Sequence, residues 1–163
     1  MCDVRTAHIV SLALICTPNF LSARPVLPAR VSDIPYIECF KKAAYNYKIE
    51  LPLLVAVAEK ESGFNPKALN RDNENGSFDI GIMQINSWWI KAPYQKNHFY
   101  EPCFNISFGA FVMADSLKSW GYNWHGVGKY NASTPSKGYV YSRDLYPIYV
   151  KYVKIFSHEK NIK

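Results

Sequence analysis

The chain is expected to fold as one mainly α-helical domain (α+β overall), with at most a small β excursion near residues 69–80. Three observations carry this expectation. Its 163 residues are 48% apolar, enough for one domain with a core and too rich for disorder. Apolar residues recur at helical spacing in several segments. Between two such segments lies "NPKALNRDNENGSFD" (65–79), polar and turn-forming.

In chain order, residues 1–23 read as a secretory signal peptide. Arg5 and the amino terminus supply positive charge. "IVSLALICT" (9–17) is an apolar run too short to span a bilayer comfortably. Leu21 and Ala23 offer a cleavage site, with Ala29 a second choice. An uncleaved membrane anchor is the alternative; after cleavage no stable span remains. Residues 24–35, with several prolines and no helical period, read as an extended linker. The catalytic unit is expected over 36–156, with a short tail at 157–163.

Within that unit "YIECFKKAAYNYKI" puts Ile37, Phe40, Ala44 and Tyr47 on one side of a helix. Pro52 suits the first turn of the next helix, Gly63 its end, and Pro66 blocks continuation. "IGIMQINSWWIKAP" is expected to enter a short helix. Residues 103–121 carry helical spacing at Ile106, Ala110, Met113, Ala114 and Leu117, ending at Gly121. A further helix opens at "WHGVGKYN" and breaks by Pro135. "YVYSRDLYPIYVKYVKIF" forms a last aromatic helix that Pro147 can bend.

The formal charge of +6 suits an anionic partner, but no dense Lys/Arg run is present. The charge is diffuse, and nucleic acid is not an expected partner. Cys2 and Cys16 leave with the signal, so Cys39 and Cys103 are expected to pair as one disulfide in an oxidising compartment. Two free thiols are the alternative. His98, His125 and His158 lack ligand spacing to each other or to the cysteines, so no metal site is expected.

The informative position is in "LPLLVAVAEKESGFNP" (51–66). Leu54, Val57, Ala58 and Glu61 share one helix face, whereas Glu59 and Lys60 fall on the other, polar side. A carboxyl among apolar neighbours resists ionisation and can hold a proton near neutral pH, as a general acid in glycoside cleavage must. The competing reading is a Glu that pairs with a basic residue or reaches solvent at the helix end. On the polar side, Glu59→Gln is expected to be nearly silent.

Four ordered motifs, "ESGFNP", "GIMQIN", "NISFGA" and "YNAS", resemble those of lytic transglycosylases of the soluble-lytic-transglycosylase type, a branch of the lysozyme-like superfamily. The resemblance covers roughly residues 36–152. It is nearest to the small one-domain enzymes of conjugation, type III and type IV secretion and pilus systems, which carry cysteines placed like Cys39 and Cys103. It implies a lysozyme-like domain with helices around a glycan cleft, exported to the periplasm. By position, Glu61 matches the catalytic acid/base and Ser62 the serine that supports it. Met83 and Gln84 match the pair lining the sugar groove. Tyr130 and Asn131 match the "Tyr-Asn-Ala" motif beside the catalytic carboxylate, and Asn105 and Ile106 a mainly structural one. Ile82 and Ser133 depart from the usual Leu and Gly.

The resemblance implies cleavage of the β-1,4 bond between N-acetylmuramic acid and N-acetylglucosamine in peptidoglycan glycan strands, without metal or cofactor. It also implies service to a secretion, conjugation or pilus machine. The stretch 61–89 is similar to the active-site region of animal c-type lysozymes as well. There Asp79 falls on the second catalytic carboxylate, and an Asp making turn hydrogen bonds is the equal alternative. Trp88 is expected in the groove and Trp89 in the core. Tyr139, Tyr141, Tyr146, Tyr149 and Tyr152 are expected to pack one helix, with one or two lining the cleft. Two other functions stay open: a lysozyme-type hydrolase using Glu61 and Asp79, and a glycan-binding scaffold.

Overall fold

The computed structural model describes residues 30–132 and 134–160. The stretch read as a signal peptide, half of the stretch read as linker (24–29), Ser133 and residues 161–163 lie outside them. Five helices form the frame: α1 (Ile37–Tyr47), α2 (Leu51–Ser62), α3 (Pro102–Trp120), α4 (Trp124–Asn131) and α5 (Pro135–Lys160). Three two-residue strands, β1 (Leu69–Asn70), β2 (Asp79–Ile80) and β3 (Ile85–Asn86), make a small antiparallel sheet in the order β1-β2-β3. Leu69 pairs with Ile80, and Ile80 with Ile85. The mainly helical domain with a small sheet is thus observed.

The helices close a ring. α2 packs on α1 and α5, α1 on α3, α3 on α4, and α4 on α5. α2 is deeply buried in this ring: Leu53 through Ala58 are all buried. It therefore has no narrow apolar stripe, as the helical wheel suggested, but is apolar all round until its last turn. Pro52 sits in its first turn, and Gly63 closes it at φ 61°, donating its N–H to the Glu59 carbonyl. Glu59, Lys60 and Glu61 leave the core together at this end.

The residues read as linker contribute to the core where they are described. Val31–Asp33 form a 3₁₀ turn against α5, with Val31 and Ile34 buried. Two apolar residues between prolines found a hydrophobic seat that local propensity does not reveal. The short helix expected at 80–93 is instead the β2–β3 hairpin followed by a 3₁₀ turn at Ser87–Trp89. Ile80 and its cross-strand partner Ile85 are buried, and so are Ile82 and Met83 in the turn between them. A further 3₁₀ turn, Lys96–Tyr100, precedes α3. α5 continues through Pro147 as one helix.

Cys39 on α1 and Cys103 at the start of α3 form a disulfide, with Cα atoms 5.1 Å apart. Closing a loop with a sequence separation of 64 stabilises by about 4 kcal/mol in the chain-entropy view. Among the described residues no helix is long and apolar enough to cross a membrane, and no group of three or more His, Cys, Asp or Glu side chains is placed to hold a metal ion.

Candidate active site

The turn between β2 and β3 forms one wall of the site, and its motif residues explain each other. Asn105, buried on α3, accepts from the Met83 N–H at 2.7 Å and donates to the Ile80 and Phe99 carbonyls at 2.9 and 2.8 Å. Gly81 stands at φ 77°, where a Cβ would lie 2.5 Å from Asn105 Nδ2 and 2.6 Å from the Phe99 carbonyl oxygen. Only glycine fits that seat. One helical turn beyond Asn105, Gly109 makes room for Met83, whose side chain would meet a Cβ there at 2.6 Å. The "GIMQ" and "NISFG" motifs are thus the two sides of one contact.

This geometry corrects two expectations. Met83 does not line the groove: it is fully buried beneath it, and its carbonyl accepts from the Tyr130 hydroxyl at 2.7 Å. The Ser62 hydroxyl makes its hydrogen bonds away from Glu61. It donates to the Ile82 carbonyl at 2.8 Å and accepts from the Asn65 N–H, tying the end of α2 to the hairpin turn. Gln84 does face the cleft, with its amide bonded to the Gly81 carbonyl at 2.8 Å.

Glu61 sits at the meeting of two concavities. One, of about 410 Å³, is lined by Glu61, Asp79, Gln84, Tyr130 and Asn131, with Asn70, Asn73, Asn86 and Trp89 among the other liners. The second, of about 540 Å³, shares Glu61 and Asn131 and adds residues of α2 and α5. A polymer can therefore pass on both sides of the carboxyl.

Burial dominates the electrostatics of Glu61 and pushes its pKa up to about 7. A hydrogen bond from the Tyr141 hydroxyl, 2.6 Å from Oε1, and the Lys60 charge oppose this; the nearby Asp79 adds to it. The carboxyl is poised to hold and release a proton near neutrality. Burial, then the charges of Glu61 and Asp79, hold the Tyr130 phenol well above its usual range. Burial chiefly, then Glu61, does the same to Tyr141. Both tyrosines stay neutral donors.

Asp79 shares the first cleft with Glu61, held by asparagine amides. Asn86 Nδ2 donates at 2.7 Å, Asn73 Nδ2 at 2.9 Å and Asn70 Nδ2 at 3.4 Å. The polar stretch 65–79 thus supplies part of the cleft wall, a role its composition alone does not disclose. Trp89 packs against the core as expected, on Phe108 and Phe111, but also borders the cleft, and Trp88 does not line the cleft. Trp88, 60% exposed, lines a neighbouring aromatic hollow with Tyr94 and Phe111.

Glu59 is not on an open polar face. It pairs with Lys151, both side chains less than a quarter exposed, and accepts from the Tyr152 hydroxyl. α5 folds over this end of α2 and turns a nominally solvent-facing position into an interface. Of the five tyrosines of α5, one or two of which are expected in the cleft, Tyr141 is the one at Glu61. Only the crossing of α5 over α2 singles it out.

A model of the transglycosylase SLT domain matches residues 38–142 of this chain. Invasion protein IagB of Salmonella typhimurium (strain SL1344) is 34% identical over 135 residues, covering 77% of this chain and 84% of that protein. Protein IpgF of Shigella sonnei is 38% identical over 136 residues, covering 78% and 89%. Among solved structures, a lysozyme from Litopenaeus vannamei aligns with TM-score 0.42 and 26% identity over 59% of this chain and 83% of its own. The match spans nearly all of α1, all of α2, the hairpin, α3, α4 and the start of α5, with Glu61, Asp79, Gln84, Tyr130 and Tyr141 inside it, so the chain belongs to the transglycosylase SLT domain family.

Proposed function

We propose that this protein is a periplasmic lytic transglycosylase that cuts peptidoglycan glycan strands. One observation carries the reading: Glu61, its pKa raised to about 7, stands at the junction of two concavities with a tyrosine as its hydrogen-bond partner and, among the described residues, no paired cation. An acid that keeps its proton near neutral pH can protonate the oxygen of a glycosidic bond laid across it. As the C1–O bond of muramic acid breaks, its electrons pass to that oxygen. The C6 hydroxyl then closes onto C1, and the Glu61 carboxylate takes the hydroxyl proton. A 1,6-anhydro ring forms, no water is consumed, and Glu61 returns to its acid form. Asp79, fixed by its asparagine amides, stabilises positive charge developing at C1.

On this reading residues 36–156 form the catalytic unit and residues 1–23 direct export. IagB is an invasion protein by name, which supports a role in opening the wall for a secretion apparatus. A second reading has one observation in its favour. Asp79 lines the same cleft as Glu61, as a lysozyme-type hydrolase with two carboxylates would require. Mass spectrometry of material released from purified sacculi separates the two. Anhydromuramic ends are expected; reducing muramic acid as the dominant product would establish the hydrolase. No release with wild-type protein would leave the scaffold role.

A further inference from the structure

Five exposed aromatic side chains, Trp120, Tyr122, Trp124, Tyr139 and Tyr146, gather where the end of α3 and the start of α4 meet α5. All are Trp or Tyr, apolar in the ring and polar at the tip. A soluble domain rarely leaves such a surface without use. It lies on the far side of α5 from the cleft. Lys137, Val140, Tyr141 and Asp144 turn towards Glu61, whereas Tyr139, Ser142, Arg143 and Tyr146 fall on the opposite side of the helix. None of the five aromatic residues lines either concavity at Glu61.

Two hollows meet at Trp124. One, of about 300 Å³, has buried Ile49, Leu53, Leu117 and Val127 as its floor and Lys48 and Glu50 on its rim. The other, of about 370 Å³, is walled by Trp124, His125, Tyr139 and Tyr146. Trp124 is held firmly. The Asn123 side chain caps α4, accepting from the His125 and Gly126 N–H groups at 2.9 and 3.1 Å, and the buried Ser142 hydroxyl donates to the Trp124 carbonyl at 2.6 Å. The rings of Tyr146 and Tyr149 brace the indole at 5.2 and 5.4 Å between centres. A fixed yet accessible indole loses little freedom on binding.

An aromatic wall, an apolar floor and a polar rim together suit an N-acetylated sugar. The C–H face of the ring lies on the indole, the acetyl methyl on the floor, and the hydroxyls and amide meet the rim. The charge agrees. The ionised groups lining the two hollows are Lys48, Glu50 and Arg143. Glu50 accepts from the Tyr149 hydroxyl at 2.7 Å and Arg143 pairs with Asp144 at 2.8 Å, while Lys48 has no ion-pair partner among the described residues. A nearly neutral surface with one spare cation complements a neutral glycan whose peptide branches carry carboxylates. Building on the proposed function, we infer that this face is a second glycan site, which holds a neighbouring N-acetylated strand of the wall while the cleft across α5 works on another. It retains the enzyme on the insoluble polymer and takes no part in bond cleavage.

Binding is read in the Glu61→Gln protein, by co-sedimentation with purified sacculi. Adding Tyr139→Ser/Tyr146→Ser is expected to weaken retention about tenfold, the scale of one or two lost aromatic contacts. On N-deacetylated sacculi the parent and the tyrosine variant should bind alike, and re-acetylation should restore the difference. In the catalytically intact background the same pair of substitutions should leave kcat/KM on short soluble strands within about twofold of wild type, which also reports correct folding, while release from sacculi falls. Chitotetraose is the soluble probe. Its titration should shift the Trp124 indole N–H resonance, and the tyrosine substitutions should abolish that shift. Equal retention of parent and variant on native sacculi overturns the inference and leaves the face to a protein partner. A Trp124 resonance that stays in place at saturating chitotetraose overturns it too. Retention through this face by a wild-type protein that cuts no strand upholds the second site and counts against the transglycosylase reading alone.

Discussion

Glu59 and Glu61 leave the same helix two residues apart, both half-buried, both against α5, yet they do opposite things. Glu59 meets a cation, Lys151, and a second donor, Tyr152. Its charge is neutralised where it stands. Glu61 meets a phenol and a cleft, and burial raises its pKa to about 7. Neither partial burial nor proximity to tyrosine distinguishes a reactive carboxyl from a structural one. The lack of a paired cation among the described residues and access to a cavity on both sides do.

The strongest test of this contrast is Glu61→Gln. The amide keeps the shape and can still accept from Tyr141, but it cannot cycle a proton. Release of anhydro-muropeptides is expected to fall by roughly 10²–10⁴-fold, the range for a lost general acid. Stability should move the other way with pH. A carboxyl whose folded pKa stands above its unfolded value binds more protons in the native state. Its favourable contribution is complete below about 4.5 and is lost as pH rises through about 7. The total is about 3 kcal/mol, from roughly 1.4 kcal/mol per pKa unit. Glu61→Gln should therefore gain on wild type in thermal unfolding between pH 4 and pH 8. An equal difference at both pH values would show that Glu61 is an ordinary carboxylate.

Glu59→Gln should give the mirror image. Activity per folded molecule is expected to match wild type, while stability falls by about 1–2 kcal/mol, because Lys151 loses its counter-charge in a partly buried interface. Urea unfolding at pH 7 measures it. Loss of turnover without loss of stability would collapse the distinction between the two glutamates.

How far the sequence discloses this contrast depends on what each residue's neighbours are. The ends of α2 are legible because Pro52 and Gly63 act through local backbone geometry. Asn105 and Gly81 are legible as motif residues, though their mutual packing is not. Glu61 stands out by its phase among apolar residues, even though the stripe it seemed to interrupt is a helix buried all round. Glu59 was misread because its surroundings come from α5, about 90 residues later in the chain. Local periodicity cannot register a helix that arrives from that distance. The same distance hides Tyr141, 80 residues from Glu61. Met83 and Trp89 show a further limit: a motif says that residues matter together, not which one faces the cavity.

Asp79 extends the comparison to a third carboxylate, one held by amides rather than by a cation or a phenol. If its work is to stabilise charge at C1, Asp79→Asn should lower the rate by about tenfold and leave the anhydro product unchanged. It should also move the alkaline fall-off slightly lower, because Asp79 raises the pKa of Glu61. A loss as deep as that of Glu61→Gln would assign Asp79 a direct chemical step and favour the hydrolase.

The smallest expected effect is at Tyr141, and it probes what sets the poise of Glu61. The Tyr141 hydrogen bond favours the ionised carboxyl and partly offsets burial. Tyr141→Phe keeps the ring and removes only that donor, so the pKa of Glu61 should rise. The descending limb of kcat/KM against pH should move to higher pH by less than about one unit, with a loss of about threefold near pH 6 from poorer orientation of the carboxyl. Tyr139→Phe, two residues away on the exposed side of α5 at 70% accessibility, should change neither quantity. A limb that stays in place in Tyr141→Phe would mean that burial alone sets the proton affinity of Glu61. A limb that moves to lower pH would mean that the phenol holds the protonated acid, and that the partner separating Glu61 from Glu59 acts on the other side of the equilibrium.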